Sequence, residues 1–370
     1  MITEVNSKKP WLVNDLVISE ENCNLSCTYC LTDSSLFKEK HLDHPLRKPP
    51  VVLNYHDEKL NYQLNKVIEN INEEFEVSIL KVSGGEVFLI KNVMEFLEKQ
   101  AKHHTMLQIL TNGFGLTEKI LSSFKEWGNV CLQISIDHHT LEGNGHRLSS
   151  KTLQDTLLKK IELVVQYNIP LEIYCVINDK NADVLEDFVA YLNRYAGKVM
   201  IFPFPVRGPM RDYFFPNENQ VLGIQRVLDN YESYASVLPP RPYLERLMSM
   251  FSKEGRTFRC HLPRLVFSTF NDGTLTACPN IWFNNLGNLI DSEYQVVTNK
   301  VKNTPFYELL LSEKPRLDAC KKCFTPWDML SMYFDGLICL DELCKSPMYM
   351  HPDIRSKIEL IYSQYQNEND

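Results

Sequence analysis

Short apolar runs alternate along this chain with longer segments in which apolar residues recur every three or four positions. Six runs read as strands: LVNDLVIS (12–19), VSILKVS (77–83), TMLQILTN (105–112), NVCLQISID (129–137), LEIYCVIN (171–178) and KVMIFPF (198–204). The segments between them, at 56–73, 92–103, 116–127, 151–167 and 183–196, carry the helical period. Strands separated by helix-length crossovers predict an α/β fold with a parallel sheet, because neighbouring parallel strands need such connections. After Phe204 the rhythm stops. A loop PFPVRGPMRD, a helical stretch at 218–236, the breaker LPPRP and the hairpin signal LVFSTFNDGTLTAC lead into a cysteine-rich remainder. The pattern puts a boundary between 205 and 255, and it shows no repeat and no low-complexity segment.

Composition narrows the class. The 370 residues hold 39 Lys+Arg against 47 Asp+Glu, for a net charge of −8, with no block of like charge. That balance argues against nucleic acid as a partner. The amino terminus lacks an apolar signal core, and no window reaches the roughly 18 apolar residues a membrane helix needs. The expectation is a cytoplasmic protein that does not engage a membrane. In that compartment thiols stay reduced, so eleven cysteines in spaced groups point to metal ligation rather than disulfides.

The first group stands in EENCNLSCTYCLTD (20–33), where Cys23, Cys27 and Cys30 follow the first strand. A cubane iron–sulfur cluster takes four thiolates, so three leave one iron open to a substrate or cofactor. The alternative is a structural zinc knot, which needs a fourth ligand such as His41 or His44. Past the boundary come Cys260, Cys278, Cys320 and Cys323, a set that suits either one further cluster or a tetrahedral zinc. Cys131 and Cys175 lie inside strands and read as inert core thiols.

The spacing C-x3-C-x2-C, with Tyr29 before the last cysteine, resembles the radical S-adenosylmethionine (radical SAM) superfamily. The end of strand two, SGGEVF, resembles the family's glycine-rich turn, with Val87 where a proline is common. SIDHH at the end of strand four, followed by GHR, continues the likeness. The resemblance covers about residues 12–204 and implies a partial (β/α)6 TIM-like barrel. Its cluster, held by Cys23, Cys27 and Cys30, would cleave SAM reductively to a 5′-deoxyadenosyl radical that takes a substrate hydrogen. It also implies SAM-binding roles for Tyr29, Gly84, Gly85, Glu86, Ser135, Asp137, Arg147 and Asn178, with Phe88 and Phe204 as further neighbours of the adenosine. An external electron donor such as flavodoxin or ferredoxin is implied too.

The later cysteines, read as C-x12-G-x4-C and C-x2-C, resemble the twitch or SPASM extension of such enzymes, a smaller α+β domain carrying an auxiliary cluster. The longer SPASM continuation is absent, because Met329 stands where its next cysteine falls. One auxiliary [4Fe-4S] cluster on Cys260, Cys278, Cys320 and Cys323 is therefore expected. A second arrangement, on Cys320, Cys323, Cys339 and Cys344, would leave Cys260 and Cys278 without company. The implied division is a barrel at 1–210, a helical linker at 211–255, an auxiliary domain at 256–350 and a terminal helix at 351–370.

Only 22 residues precede Cys23, which lowers the expectation of a leader-binding domain ahead of the barrel. The expected activity is tailoring of a peptide natural product by epimerisation or crosslinking, with Cys339 or Cys344 as a candidate hydrogen donor. The alternative is a dehydrogenase or epimerase of a small sugar or aminocyclitol. A zinc-stabilised binding protein and an iron–sulfur electron carrier are the non-enzyme alternatives.

Overall fold

The computed structural model describes residues 8–19, 22–30, 58–208 and 211–367. His41 and His44, the candidate fourth zinc ligands, lie outside the described residues.

The six expected strands form: β1 (Lys9–Val17), β2 (Phe75–Ser83), β3 (Met106–Thr111), β4 (Val130–Ser135), β5 (Leu171–Ile177) and β6 (Val199–Pro205). All pair in parallel and in chain order. The crossovers carry α1 (Glu58–Glu74), α2 (Val93–His103), α3 (Glu118–Trp127), α4 (Lys151–Gln166) and α5 (Leu185–Asn193). Helix starts follow local chemistry. Thr117 caps α3 by accepting from the Ile120 amide, and Ser150 caps α4 by accepting from that of Leu153. Near-continuous burial of the strands reflects cover on both faces, as parallel sheets require.

The hairpin signal forms β7 (Val266–Phe270) and β8 (Thr274–Cys278), followed by β9 (Ile281–Asn288). These strands extend the barrel sheet, giving the order β6-β5-β4-β3-β2-β1-β7-β8-β9. β7 runs parallel to β1, with Asp15 opposite Ser268, so the strand leading into the three-cysteine loop is flanked on both sides. The chain then closes back on the barrel. Ser346 Oγ donates to Glu172 on β5 at 2.6 Å, and the terminal helix α6 (Pro352–Asn367) is tied to β2 by Lys357 and Glu76 at 2.8 Å. No helix among the described residues is long and apolar enough to cross a membrane.

Candidate active site

β1, β2, β3 and β4 end around one cavity of about 250 Å³. Its wall includes Cys23, Cys27 and Cys30 from the loop after β1, Gly84 and Gly85 after β2, Asn112 after β3, Ser135 at the end of β4, and Arg147. Carboxyl ends of barrel strands are where such folds place their chemistry, because the loops there vary without disturbing the packed core.

The three cysteines are half-buried. Cys23 Sγ accepts from the Leu25 amide at 3.4 Å and from Asn112 Nδ2 at 3.7 Å, and Cys27 Sγ accepts from Arg147 Nη1 at 3.8 Å. Burial pushes the Cys27 thiol up to about 12 against the pull of the Arg147 guanidinium, and burial also raises Cys23. Binding a metal centre there would therefore displace protons. Among the described residues no three His, Cys, Asp or Glu side chains converge on a single ion. A cubane differs in giving each thiolate its own iron, and the three sulfurs facing one cavity can serve it.

The SGG turn also packs against the cysteine loop. A Cβ on Gly84, whose φ is +149°, would meet the Ser19 carbonyl oxygen at 2.4 Å, and one on Gly85 would meet that of Asn22 at 2.2 Å. The Gly85 and Glu86 amides donate to those carbonyls at 2.8 and 2.6 Å. Both glycines line the cavity, but what demands their lack of a side chain is the cysteine loop lying against the turn.

Glu86 does not line the cavity. It is 1% exposed, and its carboxylate accepts from the Phe88 amide (3.2 Å), Thr111 Oγ1 (2.7 Å) and the Asn112 amide (2.7 Å). Its carboxylate ties the turn after β2 to the end of β3, where Asn112 reaches Cys23 and Asn24.

Asp137 likewise stands behind the wall. It accepts from the Tyr29 hydroxyl and from the Val176 amide (3.1 Å), and it pairs with Arg147 Nη2 at 3.6 Å. Arg147 Nη2 also donates to the Tyr29 hydroxyl at 2.8 Å. The guanidinium is thus held by Tyr29 and Asp137 while its Nε, buried on the cavity wall, has no partner among the described residues. Asn178 lies outside the wall, occupied by a turn in which Nδ2 donates to the Val176 carbonyl and Oδ1 accepts from the Lys180 amide. Phe204 lines the cavity and Phe88 does not. His146, which sequence reasoning passed over, pins the cysteine loop through Thr28 Oγ1 at 2.9 Å and is itself held on its other ring nitrogen by Asp179 at 2.7 Å.

Cys260, Cys278, Cys320 and Cys323 line one small cavity of about 20 Å³. Three chain segments bring them together, and a residue the sequence did not flag organises them. Arg256, fully buried, donates to the carbonyls of Phe258, Arg259 and Cys323 at 3.0–3.1 Å and to Asp328 at 2.6 Å. Burial raises all four thiols, Cys260 to about 11 and Cys320 to about 12. Four sulfurs around one space suit a cluster with a full thiolate set. Asn280 borders both cavities and accepts from Arg207, whose side chain also reaches Cys323.

Cys339 and Cys344 join neither wall. Cys339 is exposed and caps the short helix Leu340–Leu343, and Cys344 is half-buried at its other end. Cys131 and Cys175 are buried in β4 and β5.

Residues 17–192 match the family model described as the radical SAM superfamily. The chain is 29% identical over 174 residues to the sporulation killing factor maturation protein SkfB of Bacillus subtilis (strain 168), a match spanning 45% of this chain and 36% of that protein. It is 24% identical over 180 residues to the mycofactocin maturase MftC of Mycolicibacterium smegmatis, covering 48% and 41%. The matches thus span about two fifths of those relatives. Among solved structures, anSMEcpe with bound AdoMet superposes with a TM-score of 0.57 at 15% identity, over 97% of each chain. Streptococcus suis SuiB bound to precursor peptide SuiA does so with a TM-score of 0.58 at 10% identity, over 85% of this chain and 70% of that one. At these identities the likeness is one of fold.

Proposed function

Since this chain belongs to the radical SAM superfamily through residues 17–192, we propose that it is a radical SAM enzyme and that it tailors a peptide by abstracting a hydrogen from it. The observation that carries the proposal is the single cavity shared by Cys23, Cys27, Cys30 and Arg147. In this reading the three cysteines hold a [4Fe-4S] cluster, and the cluster with SAM supplies the one-electron chemistry that no side chain can. Arg147, oriented by Tyr29 and Asp137, pairs with the SAM carboxylate through a charge-assisted contact. Gly84, Gly85 and Ser135 flank the same space, and Glu86 and Asp137 act from behind it.

The peptide class rests on relatives named as maturation proteins and on the fold shared with a protein solved on a precursor peptide. Epimerisation or crosslinking is the reaction type proposed. Cys260, Cys278, Cys320 and Cys323 would hold one auxiliary [4Fe-4S] cluster beside the cavity, with a flavodoxin or ferredoxin as electron source. Anaerobic reconstitution followed by SAM and dithionite should yield 5′-deoxyadenosine, and co-expression with short peptides encoded beside the gene should shift the mass of one of them. Intact SAM in the first assay would refute the reading, and failure of every neighbouring peptide to change mass would refute the peptide class.

A further inference from the structure

The cavity wall has a second polar end that the SAM assignment does not use. Lys81 on β2 faces Asp15 on β1 in register, but their charged atoms stand 3.9 Å apart, longer than a hydrogen bond. Its Nζ lies 4.1 Å from the centroid of the Trp327 ring and 5.6 Å from that of Tyr174. Thr325 and Trp327, from the turn before the helix Asp328–Phe334, are 3% and 5% exposed and line the same cavity. Thr325 Oγ1 and Trp327 Nε1 have no hydrogen-bond partner among the described residues. Buried polar atoms left unpaired cost stability, and a donor on a cavity wall is satisfied when a ligand supplies the acceptor.

Charge says which acceptor. The wall carries three cations, Lys81, Arg147 and Arg207, and Asp15 is its one carboxylate. Asp15 also accepts from Ser83 and Ser268 at 3.2 and 3.3 Å. Glu172, the other acid near Lys81, lies behind the wall and accepts from Gln108, Gln133, Ser346 and the Met348 amide. Arg147 is committed to Tyr29, Asp137 and Cys27. Lys81 therefore leaves positive charge beside two unpartnered polar groups, and Arg207, itself held by Asn280 and Cys323, adds to the positive field there.

We propose that Lys81, Arg207, Thr325 and Trp327 form a substrate subsite that takes a carboxylate, supplied by an acidic side chain, a chain terminus or a sugar acid. The subsite deepens the reading above, because it names what the enzyme recognises, yet its test does not need turnover. The reconstituted protein, with SAM present, is titrated by equilibrium dialysis with four probes. These are N-acetylglutamate N-methylamide, N-acetylalanine, glucuronate, and the neutral N-acetylglutamine N-methylamide. A carboxylate probe should bind at least about tenfold more tightly than the neutral one, since a charged hydrogen bond is worth that much, and the probe that does so identifies the source.

Lys81→Gln should erase the preference. Because that change also removes the cation beside Asp15, Trp327→Phe and Thr325→Val serve beside it, each removing one polar group and lowering probe affinity about threefold to tenfold. Equal binding of the neutral probe, no binding of any carboxylate, or loss of SAM binding rather than probe binding in Lys81→Gln would overturn the subsite. The enzyme reading falls separately, if 5′-deoxyadenosine fails to form while the probes still bind.

Discussion

Two groups of cysteines face two cavities, and they are built in opposite ways. Cys23, Cys27 and Cys30 come from a single loop, and they open onto a space of about 250 Å³ shared with Arg147 and Lys81. Cys260, Cys278, Cys320 and Cys323 come from three segments and enclose about 20 Å³, beside the buried Arg256–Asp328 pair. The difference suits the chemistry proposed for each. A centre that must admit a reactant needs an incomplete ligand set and room beside it, whereas a centre with a complete set needs only enclosure. The loop is stiffened from outside, by Gly84 and Gly85 beneath it and by His146 at Thr28, because three residues on one loop cannot fix their own geometry.

The largest effect expected from breaking this contrast is in the triple variant Cys23→Ala, Cys27→Ala, Cys30→Ala. Formation of 5′-deoxyadenosine should stop, and iron should fall from about eight to about four per chain, the content of one four-iron cluster. Removing Arg256 tests the opposite centre. Arg256→Met leaves Asp328 buried without its partner, which costs about 3–5 kcal/mol, and the iron lost should be that of the four-cysteine site. Chemical denaturation with iron analysis checks both effects. Iron loss confined to the three-cysteine site would reverse the assignment. In Cys339→Ala and Cys344→Ala the iron content should not change.

Within the open site, Arg147 and Glu86 should separate. Arg147→Met should weaken SAM about 10- to 100-fold by equilibrium dialysis, the value of a charge-assisted hydrogen bond. Glu86→Ala should instead lower the stability of the metal-free protein by about 1–3 kcal/mol, because the Asn112 amide and Thr111 hydroxyl lose their acceptor. Weakened SAM binding at unchanged stability would return Glu86 to direct contact.

The smallest effect belongs to neither centre. Burial lowers His104, at the end of α2, to about 4 from an ordinary value near 6.5. The folded state therefore binds fewer protons than the unfolded one between those limits. This contribution is complete above pH 6.5 and is lost as pH falls toward 4, by up to about 3 kcal/mol. His104→Gln should flatten the stability of the metal-free protein across that window in denaturation curves, and an unchanged slope would exclude His104 as the source.

The strand and helix order and the three-cysteine loop were legible because each is encoded over a few consecutive residues. Apolar period decides the elements, and C-x3-C-x2-C places its thiols on one stretch of backbone whatever surrounds it. The sequence also singled out Gly84, Gly85, Glu86 and Asp137, but not the protein groups they contact, since those depend on which chain lies across the turn and behind the wall. Only the tertiary structure brought Lys81 opposite Asp15, placed Thr325 and Trp327 beside them, and set Arg256 among four distant cysteines. Asp15, Lys81 and Gln108 each look like an isolated polar residue in an apolar strand, and they become a row only when three strands pair in one register. Spacing along the chain specifies local geometry. Contact across it is decided by pairing and packing, which bring together residues whose neighbours in sequence carry no trace of one another.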